Sequence, residues 1–85
     1  MAKVEVYGAT WCGYTMRARQ LLDGKGVQYE WIDVDEVSDA RAHMQSRGGG
    51  HTVPQIFIDD RHVGGCDDIH ALDGAGKLDP LLGIA

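Results

Sequence analysis

Val4-Glu5-Val6-Tyr7-Gly8-Ala9-Thr10-Trp11-Cys12-Gly13-Tyr14-Thr15 runs from a β-prone segment, through a short turn, to a cysteine where a helical pattern begins. Val4 to Tyr7 predicts a first strand, closed by Gly8 and Thr10. From Gly13 to about Lys25, Ala18, Leu21 and Leu22 recur at helical spacing beside polar Arg17, Arg19 and Gln20, and Gly24 and Gly26 stop the pattern. Cys12 therefore falls at a helix N-terminus, where unpaired backbone N–H groups and the positive end of the dipole favour a thiolate. In such a place a cysteine pKa drops from about 8.5 toward roughly 3.5 to 7.5. Read alone, the same segment also fits a buried, inert cysteine.

Outward from this stretch the order of elements follows from the same signals. Val27 to Val34 alternates apolar Val27, Tyr29 and Trp31 with polar Gln28 and Glu30, which predicts a second strand. Asp35 to Arg47 predicts a helix, with Asp35 or Ser38 as its cap and Gly48, Gly49 and Gly50 at its end. A strand–helix–strand unit of this length favours parallel pairing. Ile56 to Ile58 and His62 to Val63 predict a hairpin across Asp59, Asp60 and Arg61. Asp67 and Asp68 open a third helical stretch through Ile69, Ala71 and Leu72, and a last turn spans Lys77 to Leu82. The order β-α-β-α-β-β-α is an α/β fold with helices to cover both faces of a sheet.

Composition narrows the functions. Eighty-five residues, 44% hydrophobic and 25% charged, make one domain over residues 1–85, and no apolar run approaches the length of a membrane span. The first five residues lack the apolar stretch of a secretory signal, so the expected setting is cytoplasmic, away from membranes. A net charge of −5, from 8 basic and 13 acidic residues, argues against nucleic acid as a partner. Two cysteines, Cys12 and Cys66, form at most one disulfide, and a reducing cytoplasm leaves each thiol free for chemistry. The histidines and cysteines show no zinc-ligand spacing. Asp59, Asp60, Asp67 and Asp68 read as turn and capping residues.

A second motif stands at Thr52-Val53-Pro54. A cis Val53–Pro54 bond would turn the Val53 N–H and C=O outward to pair with an extended, peptide-like ligand; a trans proline would open an edge strand. Four blocks, Val4 to Thr15, Thr52 to Pro54, Gln55 to Asp59 and Gly64-Gly65-Cys66-Asp67-Asp68, stand in order across nearly the whole chain. Together they resemble the glutaredoxins, a small thioredoxin-fold family. That resemblance implies a thioredoxin-like fold with a four-stranded mixed sheet flanked by helices, and a glutathione-dependent thiol transferase with Cys12 as nucleophile. It also implies glutathione against Thr52, Val53 and Pro54, with its γ-glutamyl end at Cys66 and Asp67 and Tyr14 walling the groove.

The chain departs from the family pattern at three positions. Thr15 stands where the dithiol members carry a second cysteine, so the segment Cys12-Gly13-Tyr14-Thr15 cannot close a disulfide and points to monothiol behaviour. Gly13 replaces the proline common beside that cysteine. Ala9 stands where the family usually places a lysine for the glycine carboxylate of glutathione. Arg41 is the expected substitute, because a guanidinium grips a carboxylate with two bonds, and His51 is a second candidate. Cys66 reads either as a second redox thiol or as a small residue packed under the third helix.

The expected activity is a glutathione–disulfide oxidoreductase, a thiol transferase that reduces glutathione mixed disulfides through a Cys12–glutathione intermediate. Glutathione is the co-substrate, and glutathionylated or disulfide-containing proteins are the partners of a monomer. The alternative is an iron–sulfur carrier: a dimer in which Cys12 of each chain and two glutathiones hold a [2Fe–2S] cluster. A thioredoxin-fold binding module with an idle cysteine is the third reading.

Overall fold

The computed structural model describes residues 2–84. Four strands form one mixed sheet in the order β2-β1-β3-β4, with β1 at Val4–Gly8, β2 at Glu30–Asp33, β3 at Gln55–Ile58 and β4 at Arg61–Gly64. Helices α1 (Gly13–Gly24), α2 (Ala40–Ser46), α3 (Cys66–Gly74) and α4 (Leu78–Leu82) pack on it. β1 pairs parallel with β2 across the α1 crossover and antiparallel with β3, which pairs antiparallel with β4. This is the thioredoxin-like fold expected from the sequence. Among the described residues no helix is long and apolar enough to cross a membrane.

The alternation of β1 and β3 divides the core in two. Val4, Val6, Ile56 and Ile58 face Ala18, Leu22, Ile69, Leu78 and Leu82 of α1, α3 and α4. Tyr7 and Phe57 face the other way, onto Ala40 and Met44 of α2, with Ala9, Cys12 and Val34. The second face also carries a charged tie. The Arg47 guanidinium donates to both carboxylate oxygens of Glu5 at 2.9 Å and to the Tyr7 hydroxyl at 2.9 Å, and lies 4.0 Å above the Phe57 ring.

Several boundaries differ from the sequence reading. The second strand begins at Glu30, because the Val27 N–H bonds to the Leu22 carbonyl and closes α1 instead of joining the sheet. The second helix begins at Ala40, since Val34 to Asp39 folds into turns that end on Asp39 at φ 64°. Neither Asp35 nor Ser38 caps it; the Asp35 carboxylate is bound to Trp11 and Arg41. The hairpin turn is two residues, Asp59 and Asp60, both at positive φ as a primed turn requires, so Arg61 already belongs to β4. The final turn is the short helix α4.

Candidate active site

β1 ends at Gly8 and α1 begins at Gly13, and this connection delivers Cys12 to the helix N-cap. The thiol is mostly buried, at 9% exposure, with the S–H directed to the Val53 carbonyl 3.7 Å away. Burial pushes this thiol up, but the backbone N–H of Thr15, its hydroxyl and the Tyr14 N–H pull it down and prevail. The thiol therefore stands below its ordinary value, in the direction that the helix N-terminus predicts. Thr15 is fully buried and its hydroxyl also accepts the Ala9 N–H at 3.4 Å, which fixes the side chain beneath Cys12. Ala9 itself has no exposed surface.

Beside Cys12 runs a groove of about 450 Å³ lined by Tyr14, Thr52, Val53, Pro54, Cys66 and Asp67, together with Gln55, His62, Gly64, Gly65 and Asp68. The Val53–Pro54 peptide bond is cis. Six of the residues singled out in the sequence thus share one wall, with Cys12 facing it through Val53. Gln55 donates to the Thr52 carbonyl at 3.1 Å and to its hydroxyl at 3.2 Å, and its own carbonyl pairs with His62 at 2.6 Å. At the far end the Gly65 N–H donates to the Asp68 carboxylate at 2.8 Å, while Asp67 is exposed. Gly64 sits at φ 128°, and a side chain there would strike Asp68.

Arg41 is not among the residues that line this groove. Its guanidinium donates to Asp35 at 3.0 Å, and the second oxygen of that carboxylate accepts the Trp11 indole N–H at 2.7 Å. His51 is exposed in the loop before Thr52. Cys66, the first residue of α3, is 4% exposed and packs into the α1–α3 core while also touching the groove. Burial pushes its thiol up, so it is not a second thiolate at neutral pH. The pairs Trp11–Asp35, Asp35–Arg41 and Gln55–His62 were not legible in the sequence: they join residues 24, 6 and 7 positions apart, and no local pattern pairs them.

One chain does not by itself fit an iron–sulfur cluster. It offers a single activated thiol, and among the described residues no group of three His, Cys, Asp or Glu converges on a metal position. The arrangement does suit thiol–disulfide exchange: one activated sulfur, an open groove, and the Val53 backbone lining it just before β3.

The comparisons agree with that chemistry. The glutaredoxin family model matches residues 4–63. A probable glutaredoxin of Synechocystis is 55% identical over 82 residues, which span 95% of this chain and 93% of that protein. Glutaredoxin 3 of Escherichia coli K12 is 51% identical over 82 residues, 96% of this chain and 99% of its own. The buckwheat glutaredoxin–glutathione complex matches with a TM-score of 0.88 at 36% identity, over 96% of this chain and 77% of that one. With sequence, sheet order and thiol setting all in agreement, the chain belongs to the glutaredoxin family, whose members are thiol–disulfide oxidoreductases.

Proposed function

We propose that the protein is a glutathione-dependent thiol transferase that works with one cysteine. The Cys12 thiolate attacks the glutathione sulfur of a mixed disulfide; the Cys12–glutathione bond forms, the substrate–glutathione bond breaks, and the substrate leaves as a thiolate that takes up a proton. A second glutathione thiolate then attacks the same glutathione sulfur, releasing oxidised glutathione and restoring Cys12. The net exchange consumes one glutathionylated substrate and one glutathione, and yields one reduced substrate and one oxidised glutathione. No second cysteine of the chain takes part.

The observation that carries this reading is the lowered Cys12 thiol at the edge of the groove lined by Thr52, Val53, Pro54 and Tyr14. The buckwheat relative bound to glutathione supports the same ligand here. Glutathione would lie along Val53, with its γ-glutamyl carboxylate on the first N–H groups of α3 and its ammonium on Asp67. Its glycine carboxylate would take Arg41, exchanging places with one oxygen of Asp35. A reducing cytoplasm, which keeps Cys12 free, is the setting that fits.

The test is glutathione-dependent reduction of a small glutathione mixed disulfide. Cys12→Ser removes the activity, while Cys66→Ser keeps most of it; equal losses in the two variants would overturn the single-nucleophile cycle. Anaerobic incubation with iron, sulfide and glutathione serves as the counter-test, since a coloured dimer that bleaches on Cys12→Ser would favour the cluster carrier.

A further inference from the structure

Trp11 precedes the reactive cysteine and is 70% exposed, the most exposed large apolar side chain among the described residues. An exposed indole usually samples several rotamers, yet this one is held by a bond of 2.7 Å from its N–H to Asp35, whose other oxygen is held by Arg41. The ring is thereby fixed with its surface in solvent, on the residue that precedes the reactive cysteine. Neither Trp11, Asp35 nor Arg41 belongs to the groove that runs from Tyr14 to Asp68. If glutathione fills that groove, as the function proposed above requires, the polypeptide on the other sulfur of the mixed disulfide leaves Cys12 on a different side. Trp11 is the large fixed surface outside the groove next to Cys12.

The charge around the ring selects what it meets. Asp35, Glu36 and Asp39 are exposed in the loop that holds Trp11, and the charge of Arg41 is offset by a carboxylate, that of Asp35 in the free protein and the glycine carboxylate when glutathione is bound. The protein as a whole carries −5. An indole face is the strongest aromatic surface for a cation, and an acidic surround adds to that attraction while opposing an acidic side chain. We propose that Trp11 is a specificity-determining residue, which favours protein substrates bearing arginine or lysine beside the glutathionylated cysteine. Asp35 is its positioning residue. The inference rests on the glutathione reading of the groove.

Three glutathionylated peptides test it, identical except that the modified cysteine is flanked by arginine, leucine or glutamate. Turnover is followed as oxidised glutathione through glutathione reductase and NADPH, at high salt so that long-range steering by net charge is screened. The wild-type protein is expected to prefer the arginine peptide over the leucine peptide about two- to fivefold in kcat/KM, the range of an exposed cation–π contact, with glutamate last. In Trp11→Leu, which keeps apolar bulk and loses the π face, the arginine-to-leucine ratio falls to about one. Each protein is its own reference, so a general change in rate does not affect the comparison. Equal rates for the three peptides in the wild-type protein, a preference for leucine, or an arginine preference that survives Trp11→Leu would each overturn the inference. A small glutathione mixed disulfide, run in parallel, separates the two failures: turnover of it with no peptide preference refutes Trp11 alone, and no turnover of it refutes the glutathione reading together with this one.

Discussion

At Cys12 the balance between a thiol and a thiolate is set by a few atoms. Burial opposes the charge, and two backbone N–H groups and the Thr15 hydroxyl favour it. Thr15→Val keeps the shape of that side chain and removes its donor, so the Cys12 pKa should rise toward its ordinary value; Thr15→Ser should keep it low. The check is the rate of alkylation against pH in a Cys66→Ser background, where the midpoint moves to higher pH in the valine variant only. The same reasoning fixes the sign for stability. A folded state that holds the thiolate more readily than the unfolded chain gains stability above the unfolded pKa, and loses it as pH falls through the folded one. Cys66 runs the other way, because burial raises it, and it should alkylate only at higher pH than Cys12.

Where β1 hands over to α1, the two elements are matched by the absence of a side chain. A Cβ on Gly8 would collide with the Thr15 methyl group and come within 2.9 Å of the Trp31 ring. Gly8 has no positive φ that would demand glycine, so its reason is space. Gly8→Ala should therefore destabilise the fold by about 1–3 kcal/mol, the usual cost of overpacking. Adding Thr15→Ser, which deletes the methyl, should recover part of that loss, and denaturant unfolding of the four proteins in the cycle measures the coupling. Simple additivity of the two changes would refute the matched pair. The close fit makes Thr15 a packed component of this active site.

On the scale of the whole molecule, the sheet separates two cores, and the smaller one depends on Arg47. This residue caps α2 and reaches back over Phe57 to Glu5 at the far side of β1, with side-chain exposures of 17% and 9% for the pair. Removing one partner of so enclosed a pair costs about 3–5 kcal/mol, because Glu5 is left with no hydrogen-bonded cation, only the exposed Lys3 ammonium at 3.8 Å. Arg47→Met should lose stability on that order in urea unfolding, whereas Arg47→Met with Glu5→Leu should lose far less. A double variant as weak as the single one would show that ring stacking on Phe57, and not the ion pair, is what holds α2 to the sheet.

The sequence by itself determined the order of the elements, the helix N-terminal setting of Cys12 and the blocks that line the groove, because each is written in local periodicity or in adjacent residues. Val4 to Thr15 and Thr52 to Pro54 carry their meaning within a dozen positions. The tertiary structure decided what depends on side chains far apart in the chain. Val27 looked like strand until the Leu22 carbonyl took its N–H, and Asp35 looked like a cap until Trp11 and Arg41 took its carboxylate. Arg41 looked like a free cation for a ligand and is paired. Glu5 gave no signal at all, since a carboxylate in an alternating strand predicts a solvent-facing side chain, and it is the two-bond grip of Arg47, 42 positions away, with Lys3 more distant at 3.8 Å, that allows it to be buried. A charged group shows its type in the sequence, but its partner, which fixes both its energy and its availability for chemistry, is chosen by the fold.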